Sequence, residues 1–312
     1  MASILTLTLN PTIDVSTSVA HLEPIHKLRC GPVRRDPGGG GINVARVVRR
    51  LGSDVVAVYP AGGLIGALLR KLTDAEGVQS RTVAIAEETR EDFTVVEEAS
   101  GEQYRFVLPG PRVSEPEWRS CLDAISALDA PLSFIVASGS LPPGVPPDFF
   151  GVLADVAKKM GAKLVIDSTK PVLQAALAKG VHLIKPNLRE MRGLMDAPLV
   201  SRAEWIDACR QLVAAGGAEF VALTVAAGGA LLVGRDEAWF AAGLPVKLVS
   251  AVGAGDSFLG AYVWASSCGH PPREALRHGI AAGSAALLTP ATDLCRKEDF
   301  ERLLPQVKVE PA

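Results

Sequence analysis

The chain lacks the features that tie a protein to a nucleic acid, a membrane or an oxidising compartment. Its 312 residues carry 32 Lys and Arg against 34 Asp and Glu, a formal net charge of −2, and no basic tract. The electrostatic footprint that follows a phosphate backbone is therefore missing, and any anionic ligand must be gripped by a few placed donors. No apolar stretch is long enough to span a bilayer; the strongest candidate, Gly279 to Leu288, is short and rich in Ala and Gly. MASILTLTLN has no basic region leading to an apolar core and a cleavage site, so it reads as a strand and the expected location is the cytoplasm. The five cysteines (Cys30, Cys121, Cys209, Cys268 and Cys295) are odd in number, scattered and without a CxxC pair, which indicates neither a disulfide framework nor a zinc site. Among the five histidines, His21 and His26 lack the partners of a metal site or a triad. The P-loop, GxSxG and protein-kinase HRD motifs are absent, and the stretch from Gly253 lacks the third glycine of a dinucleotide fingerprint.

What is present is an ordinary globular composition, 48% hydrophobic, with a regular rhythm in the second half. Leu132 to Ala137, Lys163 to Asp167, Val181 to Ile184 and Glu219 to Thr224 read as buried strands. Pro147 to Met160, Pro171 to Lys179 and Ala203 to Ala215 read as amphipathic helices between them. This alternation predicts βαβ units and a parallel sheet covered on both faces, with ligands beyond the carboxyl ends of the strands. The first half departs from it at Val15 to Val33 and Arg81 to Phe106, where polar and apolar residues alternate with no helix between. These segments predict a small antiparallel sheet acting as a lid. The expected organisation is one domain over 1–312 with lid segments near 13–35 and 81–107.

Two glycine-rich stretches concentrate the candidate chemistry. In PGGGGINVARVVRRLG (Pro37 to Gly52) four glycines lead into a helix, which lets backbone N–H groups approach a ligand closely. In SAVGAGDSFLGAY (Ser250 to Tyr262), Gly253, Ala254 and Gly255 again precede a helix, but Asp256 follows at once. A carboxylate beside bound phosphate is repelled. It fits either as a general base for an attacking hydroxyl or as a plain helix cap.

These motifs together resemble a known family. The PGGGGINVAR helix start, SGSLPPGV (Ser138 to Val145), KPNLRE (Lys185 to Glu190) and VGAGDSF (Val252 to Phe258), in that order over essentially the whole chain, resemble the ribokinase-like (PfkB) sugar kinases. Within that family TLTLNPTID (Thr6 to Asp14), KLRC (Lys27 to Cys30) and GEQYRFVLPG (Gly101 to Gly110) are similar to the minor-type bacterial 6-phosphofructokinases. The resemblance implies a three-layer ribokinase-like α/β fold with a mainly parallel central sheet and the lid. The implied reaction transfers the γ-phosphoryl of MgATP to the 1-hydroxyl of fructose 6-phosphate. Asp256 is then the base, with the N–H groups of Gly253, Ala254 and Gly255 as anion hole. Asp14, Gly39, Gly40, Asn43, Ser138 and Gly139 match the sugar-phosphate positions. Arg90 and Arg105 on the lid suit the 6-phosphate, and Lys27 and Arg29 reach it from the lid across a homodimer. Lys185, Asn187, Thr224, Gly229, Ser250, Val252, Ile280 and Ser284 match nucleotide positions. Asn187 and Glu190 match the family's NxxE motif, which organises Mg²⁺ mostly through water.

The sequence also departs from the pattern of the family it resembles. Ala226 stands where the nucleotide loop usually has glycine, so a left-handed backbone there would be strained. Thr289, Pro290, Ala291 and Asp293 differ from the loop that holds a monovalent cation in related enzymes, which leaves K⁺ open. Glu23 differs as well, so inhibition by ATP is not carried over. The remaining readings are 1-phosphofructokinase, which tends to have Gly-Lys-Gly at Gly39 to Gly41, tagatose-6-phosphate kinase, and a sugar-phosphate sensor without turnover.

Overall fold

The computed structural model describes residues 4–128 and 131–312. In chain order the first half runs β1 (Ile4–Leu7), β2 (Thr12–Val19), β3 (Arg34–Gly38), α1 (Gly40–Arg50), β4 (Val55–Ala61), α2 (Gly63–Ala75), β5 (Gln79–Ala84), β6 (Arg90–Glu97), β7 (Gln103–Phe106) and α3 (Glu115–Ser126). The middle runs β8 (Phe134–Ser138), α4 (Phe149–Lys159), β9 (Lys163–Asp167), α5 (Lys170–Leu177), β10 (Val181–Ile184), α6 (Leu188–Met195), α7 (Arg202–Ala214) and β11 (Ala218–Thr224). The last part runs β12 (Ala230–Val233), β13 (Ala238–Ala241), α8 (Ala254–Ser267), α9 (Pro272–Ala286), α10 (Lys297–Leu303) and β14 (Val309–Pro311). Every strand and helix expected in the second half is there, with ends shifted by no more than two residues.

Ten strands form one sheet in the order β14-β13-β12-β11-β10-β9-β8-β1-β4-β5. From β11 to β5 all pairings are parallel; β12, β13 and β14 add an antiparallel edge. The inner strands ILTL, FIVAS and VHLI are buried throughout, as expected of parallel strands whose two faces are both covered. One apolar cluster joins the sheet to α1, α8, α9 and α10, and a second joins it to α3, α4, α5 and α7. The chain leaves β1 towards β4 on one side and later returns to β8 on the other, so the sheet has its switch point beside β1, where ligands of such folds bind.

The lid is a four-stranded sheet in the order β3-β2-β6-β7. Its outer pairs β2–β3 and β6–β7 are antiparallel, and a parallel seam between β2 and β6 joins them. Its segments are shorter than expected. Residues 81–84 belong to β5, which pairs with β4 in the main sheet, so the second lid segment begins at Arg90. As an edge strand β5 is half exposed, and its alternation looks like that of a lid strand. Residues 20–33, interrupted by Pro24, Gly31 and Pro32, form no strand.

The N-terminus of α1 is wedged against the ends of β1 and β8. A methyl group on Gly40 would lie 2.9 Å from Ser138 Cβ and closer still to its Oγ; one on Gly41 would lie 2.6 Å from Thr8 Oγ1. Gly40→Ala should therefore push α1 off the sheet and destabilise the protein by about 1–3 kcal/mol, read as a lower urea midpoint at unchanged slope. An unchanged midpoint would show that this wedge is loose.

Candidate active site

At the switch point two helix N-termini meet. Gly39, with φ +109°, caps α1, and Thr8 just beyond β1 accepts a hydrogen bond from the amide of Ile42 at 2.9 Å. Gly253, with φ +76°, caps α8, and a side chain there would collide with Leu294. The first-turn amides that follow have no intrahelical acceptor and carry the positive end of the helix dipole. Because Gly253 is the cap, Asp256 is not used for capping; its carboxylate instead accepts a hydrogen bond from Asn43 Nδ2 at 2.9 Å. The Asp256 side chain is partly exposed at the cleft floor but crowded by protein. That burial, and then the Asp167 carboxylate, push its pKa up to about 6, against the Asn43 hydrogen bond, Lys185 and Arg105.

Asp167, at the end of β9, was not singled out in the sequence, although it is the acidic residue at the carboxyl end of an expected strand. It pairs with Lys185 Nζ at 3.0 Å, and Ser138 Oγ lies 3.5 Å from its carboxylate. Its carbonyl accepts from the amide of Gly139, whose φ of +113° requires glycine. Lys185 is almost fully buried. Burial disfavours its charge, but Asp167, Asp256 and Glu190 more than offset this and hold the ammonium protonated.

Asn187 and Glu190 form a reciprocal capping box at the start of α6: Asn187 Oδ1 accepts from the Glu190 amide and Glu190 Oε2 from the Asn187 amide, both at 2.9 Å. Glu190 is neither a solvated surface side chain nor free of structural duty. Thr224, at the end of β11, bridges to Asn187. The turn that follows, 226–228, places Ala226 at φ +48° and Gly229 at φ +105°. Ala226 thus occupies a left-handed conformation at a cost of roughly 1–2 kcal/mol. Ser250 is buried and accepts from the Val252 amide at 3.2 Å. Ile280 and Ser284 lie one turn apart on α9, which packs along α8; Ser284 Oγ is 3.5 Å from the Leu244 amide.

On the lid side Asp14 stands over Gly38, where a methyl group would lie 2.6 Å from its Cγ. Burial and the facing Asp92 raise its pKa to about 7, against Arg105 and Arg46, while Asp36 adds to the rise. Arg105 on β7 therefore faces both Asp14 and Asp256 across the cleft. Arg90 is more constrained than a free phosphate fork. Its guanidinium donates to the carbonyls of Leu108 (2.9 Å) and Asn10 (3.2 Å) and pairs with Asp92, while its buried Nε has no partner. Lys27 and Arg29 lie on the exposed segment between β2 and β3 and bond to none of these residues among the described contacts. Asp36 and Asp92 are further carboxylates on this side that the sequence did not disclose; Arg46 lies behind them, fully buried and not part of the cleft lining.

Among the described residues no three His, Cys, Asp or Glu side chains converge to hold a metal directly. Lys185 neutralises only one of the Asp167, Asp256 and Glu190 carboxylates, so this corner fits a hydrated divalent cation bound chiefly through water and substrate phosphates. A groove of about 890 Å³ lined by Lys163, His182 and Glu219 lies at the opposite end of the strands, and none of the site residues touches it.

A covered parallel sheet with a β lid, whose cleft sets a carboxylate base candidate between two helix N-termini, defines a phosphotransferase acting on a hydroxyl group. The chain belongs to the pfkB family of carbohydrate kinases, whose family model matches residues 7–299. It is 42% identical over 308 residues to ATP-dependent 6-phosphofructokinase isozyme 2 of Mycobacterium tuberculosis, covering 99% of this chain and 90% of that one. The crystal structure of phosphofructokinase-2 from Escherichia coli in complex with fructose-6-phosphate superposes with a TM-score of 0.92 at 38% identity, over 98% of this chain and 99% of that one. The 1-phosphofructokinase of Borreliella burgdorferi is 30% identical over 308 residues, 98% of each chain.

The crowded carboxylates make the stability of the ligand-free protein depend on pH. An unfolded chain ionises Asp14 near its ordinary value of 3.8, whereas the folded protein holds that proton until about pH 7. Stability is therefore lost as pH rises through this window. Asp14→Asn should raise Tm at pH 8 by roughly 2–8 °C with no gain near pH 4. Scanning fluorimetry of both proteins across pH checks this; a difference that does not vary with pH would contradict it.

Proposed function

We propose that the chain is an ATP-dependent 6-phosphofructokinase, transferring the γ-phosphoryl of ATP to the 1-hydroxyl of fructose 6-phosphate. The observation that carries this reading is the placement of Asp256: held by Asn43, crowded to a pKa of about 6, and set in the first turn of the helix whose N-terminus would receive the transferring phosphoryl. The sugar lies along Asp14, Gly39, Gly40, Asn43, Ser138 and Gly139 with its 6-phosphate towards Arg90 and Arg105. The nucleotide lies along Lys185, Asn187, Thr224, Gly229, Ser250, Val252, Ile280 and Ser284. Asp256 Oδ takes the proton of the 1-hydroxyl as that oxygen bonds to the γ-phosphorus. The bond from phosphorus to the β–γ bridging oxygen breaks, and ADP leaves. The amides of Gly253, Ala254 and Gly255 and the Lys185 ammonium meet the charge on the phosphoryl oxygens. Asn187 and Glu190 would hold Mg²⁺ through water, and the ion would supply neutralisation of the nucleotide phosphates.

The similarity to 6-phosphofructokinases at about 40% identity, against 30% to a 1-phosphofructokinase, supports the choice among phosphorylated ketohexoses. A coupled assay of ADP release should give a kcat/KM for fructose 6-phosphate at least tenfold above those for fructose 1-phosphate and tagatose 6-phosphate, and equal inactivity on all three would favour a sensor. Asp256→Asn should lower kcat by about 10²-fold or more with binding within a few-fold, since a general base contributes at least that much. Because the base must be ionised, wild-type kcat/KM should fall as pH drops below about 6.

The reading includes a cytoplasmic homodimer joined through the lids. β7 is exposed along its whole length, and Phe93, Tyr104, Phe106, Val107 and Leu108 present a run of uncovered apolar side chains, more than a lid strand tolerates in isolation. Pairing would bring Lys27 and Arg29 of one chain to the cleft of the other. Phe106→Asp should convert the dimer to monomer in sedimentation velocity and raise the KM for the sugar phosphate more than that for ATP. A variant that stays dimeric would rule out this interface.

A further inference from the structure

Arg46 is the largest fully buried side chain among the described residues, with 0% exposure, and nothing in the reaction above uses it. It lies on α1 one turn beyond Asn43. Its Nη1 donates to three oxygens, Asn43 Oδ1 at 3.2 Å, the Pro37 carbonyl at 3.1 Å and the Thr292 carbonyl at 3.1 Å. Its Nη2 pairs with Glu76 at 2.9 Å and lies 3.9 Å from Asp36, while Nε has no partner. Burying a guanidinium with one N–H unsatisfied is costly. The three segments it stitches to α1 are the lid strand β3 where it enters the glycine run, the end of α2 and the loop after α9.

The contact to Asn43 has a chemical consequence. A primary amide has a donor end and an acceptor end, and at Asn43 one end faces Arg46 while the other faces Asp256. Guanidinium has only donors. With the amide reversed, its NH₂ would meet the guanidinium and its oxygen would meet the Asp256 carboxylate, setting donor against donor and acceptor against acceptor. We infer that Arg46 is a positioning residue that fixes the orientation of the Asn43 amide, so that an N–H and never a carbonyl faces Asp256. This rests on the reading of Asp256 as the base.

The charged groups facing Asp256 are Asp167 on β9, Lys185 beyond β10 and Arg105 on β7, besides the Asn43 amide; none touches Arg46. Loss of Arg46 frees the amide to turn its oxygen to Asp256 and to accept a proton from the acid form. The base then stays protonated to higher pH.

The test is the pH dependence of kcat for the full-length enzyme with saturating fructose 6-phosphate and MgATP. Arg46→Met cannot donate. It should move the acid limb up by about one pH unit, costing roughly tenfold in kcat on the acid side of the limb, with kcat at pH 9 and both KM values there within about threefold of wild type. Arg46→Lys, a donor without an acceptor, should keep the limb in place. If Arg46→Met does not fold by circular dichroism, Arg46→Gln replaces it, since its neutral amide presents either end and should also raise the limb. A limb that stays put while kcat falls by the same factor at every pH, or one that moves equally in Arg46→Lys, overturns the inference. Asp256→Asn run alongside separates the two levels. Near-normal turnover removes the base and the inference with it, whereas an inactive Asp256→Asn with an unmoved limb in the Arg46 variants removes the inference alone.

Discussion

The close approach of the α1 N-terminus to the ends of β1 and β8 is the constraint on which the rest of the site depends. Leu7, Thr8 and Ser138 leave no room for a β-carbon at Gly40 or Gly41, so the helix starts against the sheet and not one layer above it. From that height its first turn delivers Asn43 to the base of α8, and the Asn43–Asp256 bond closes the gap between two helices that are 213 residues apart in sequence. Two dipoles that would repel each other head to head are thereby held at one cleft, where the carboxylates of Asp256 and Asp167 offset their positive ends.

The same cleft stores unfavourable electrostatics. Burial raises the carboxyl pKa values of Asp14 and Asp256, with Asp92 and Asp36 adding at the first and Asp167 at the second, against Arg105, Lys185, the buried Arg46 and the Asn43 hydrogen bond. A fold selected only for stability would replace such carboxylates by amides. Their retention is intelligible if each acts on a hydroxyl: a carboxylate accepts a proton or a hydrogen bond where an amide presents an N–H on one side. The raised values bring both groups close to neutral pH, the range in which a base both exists in the right form and has a driving force for taking the proton.

Much of this was legible in the sequence, for reasons that differ by region. Buried parallel strands such as FIVAS and KLVID announce themselves as apolar runs between helical periods, and the glycine runs mark both helix starts because close packing and φ values near +76° and +109° exclude other residues. The lid was legible in kind but not in its limits. An edge strand of the main sheet and a strand of the lid are both half exposed, so β5 and β6 carry the same alternating signal, and the parallel seam between β2 and β6 joins segments about 80 residues apart. Asp167, Asp92 and Arg46 were hidden because a single charged residue at the end of a strand or inside a helix reads as solvated. Arg46 sits between Ala45 and Val47 in a helix with Arg49 and Arg50 nearby, and only the fold shows that one of these three arginines is interior.

A net charge of −2 thus conceals a sorted distribution. Arg34, Arg46 and Arg50 share Asp36, Glu76 and Asp293 in one network that ties β3 to α1 and to the loop after α9, with Arg50 also donating to the Asp293 carbonyl and Arg296 closing on the Asp293 carboxylate. Arginine suits such a network because its fork satisfies several acceptors in fixed directions and cannot discharge when buried. The loop it anchors contains Ala291 and Leu294 at positive φ, and Leu294 fills the space beside Gly253. Two strained residues persist only where the surroundings over-determine them, and here the surroundings are ion pairs reaching from the lid. The position of the lid strand β3 and the shape of the α8 N-terminus are therefore set by the same charges.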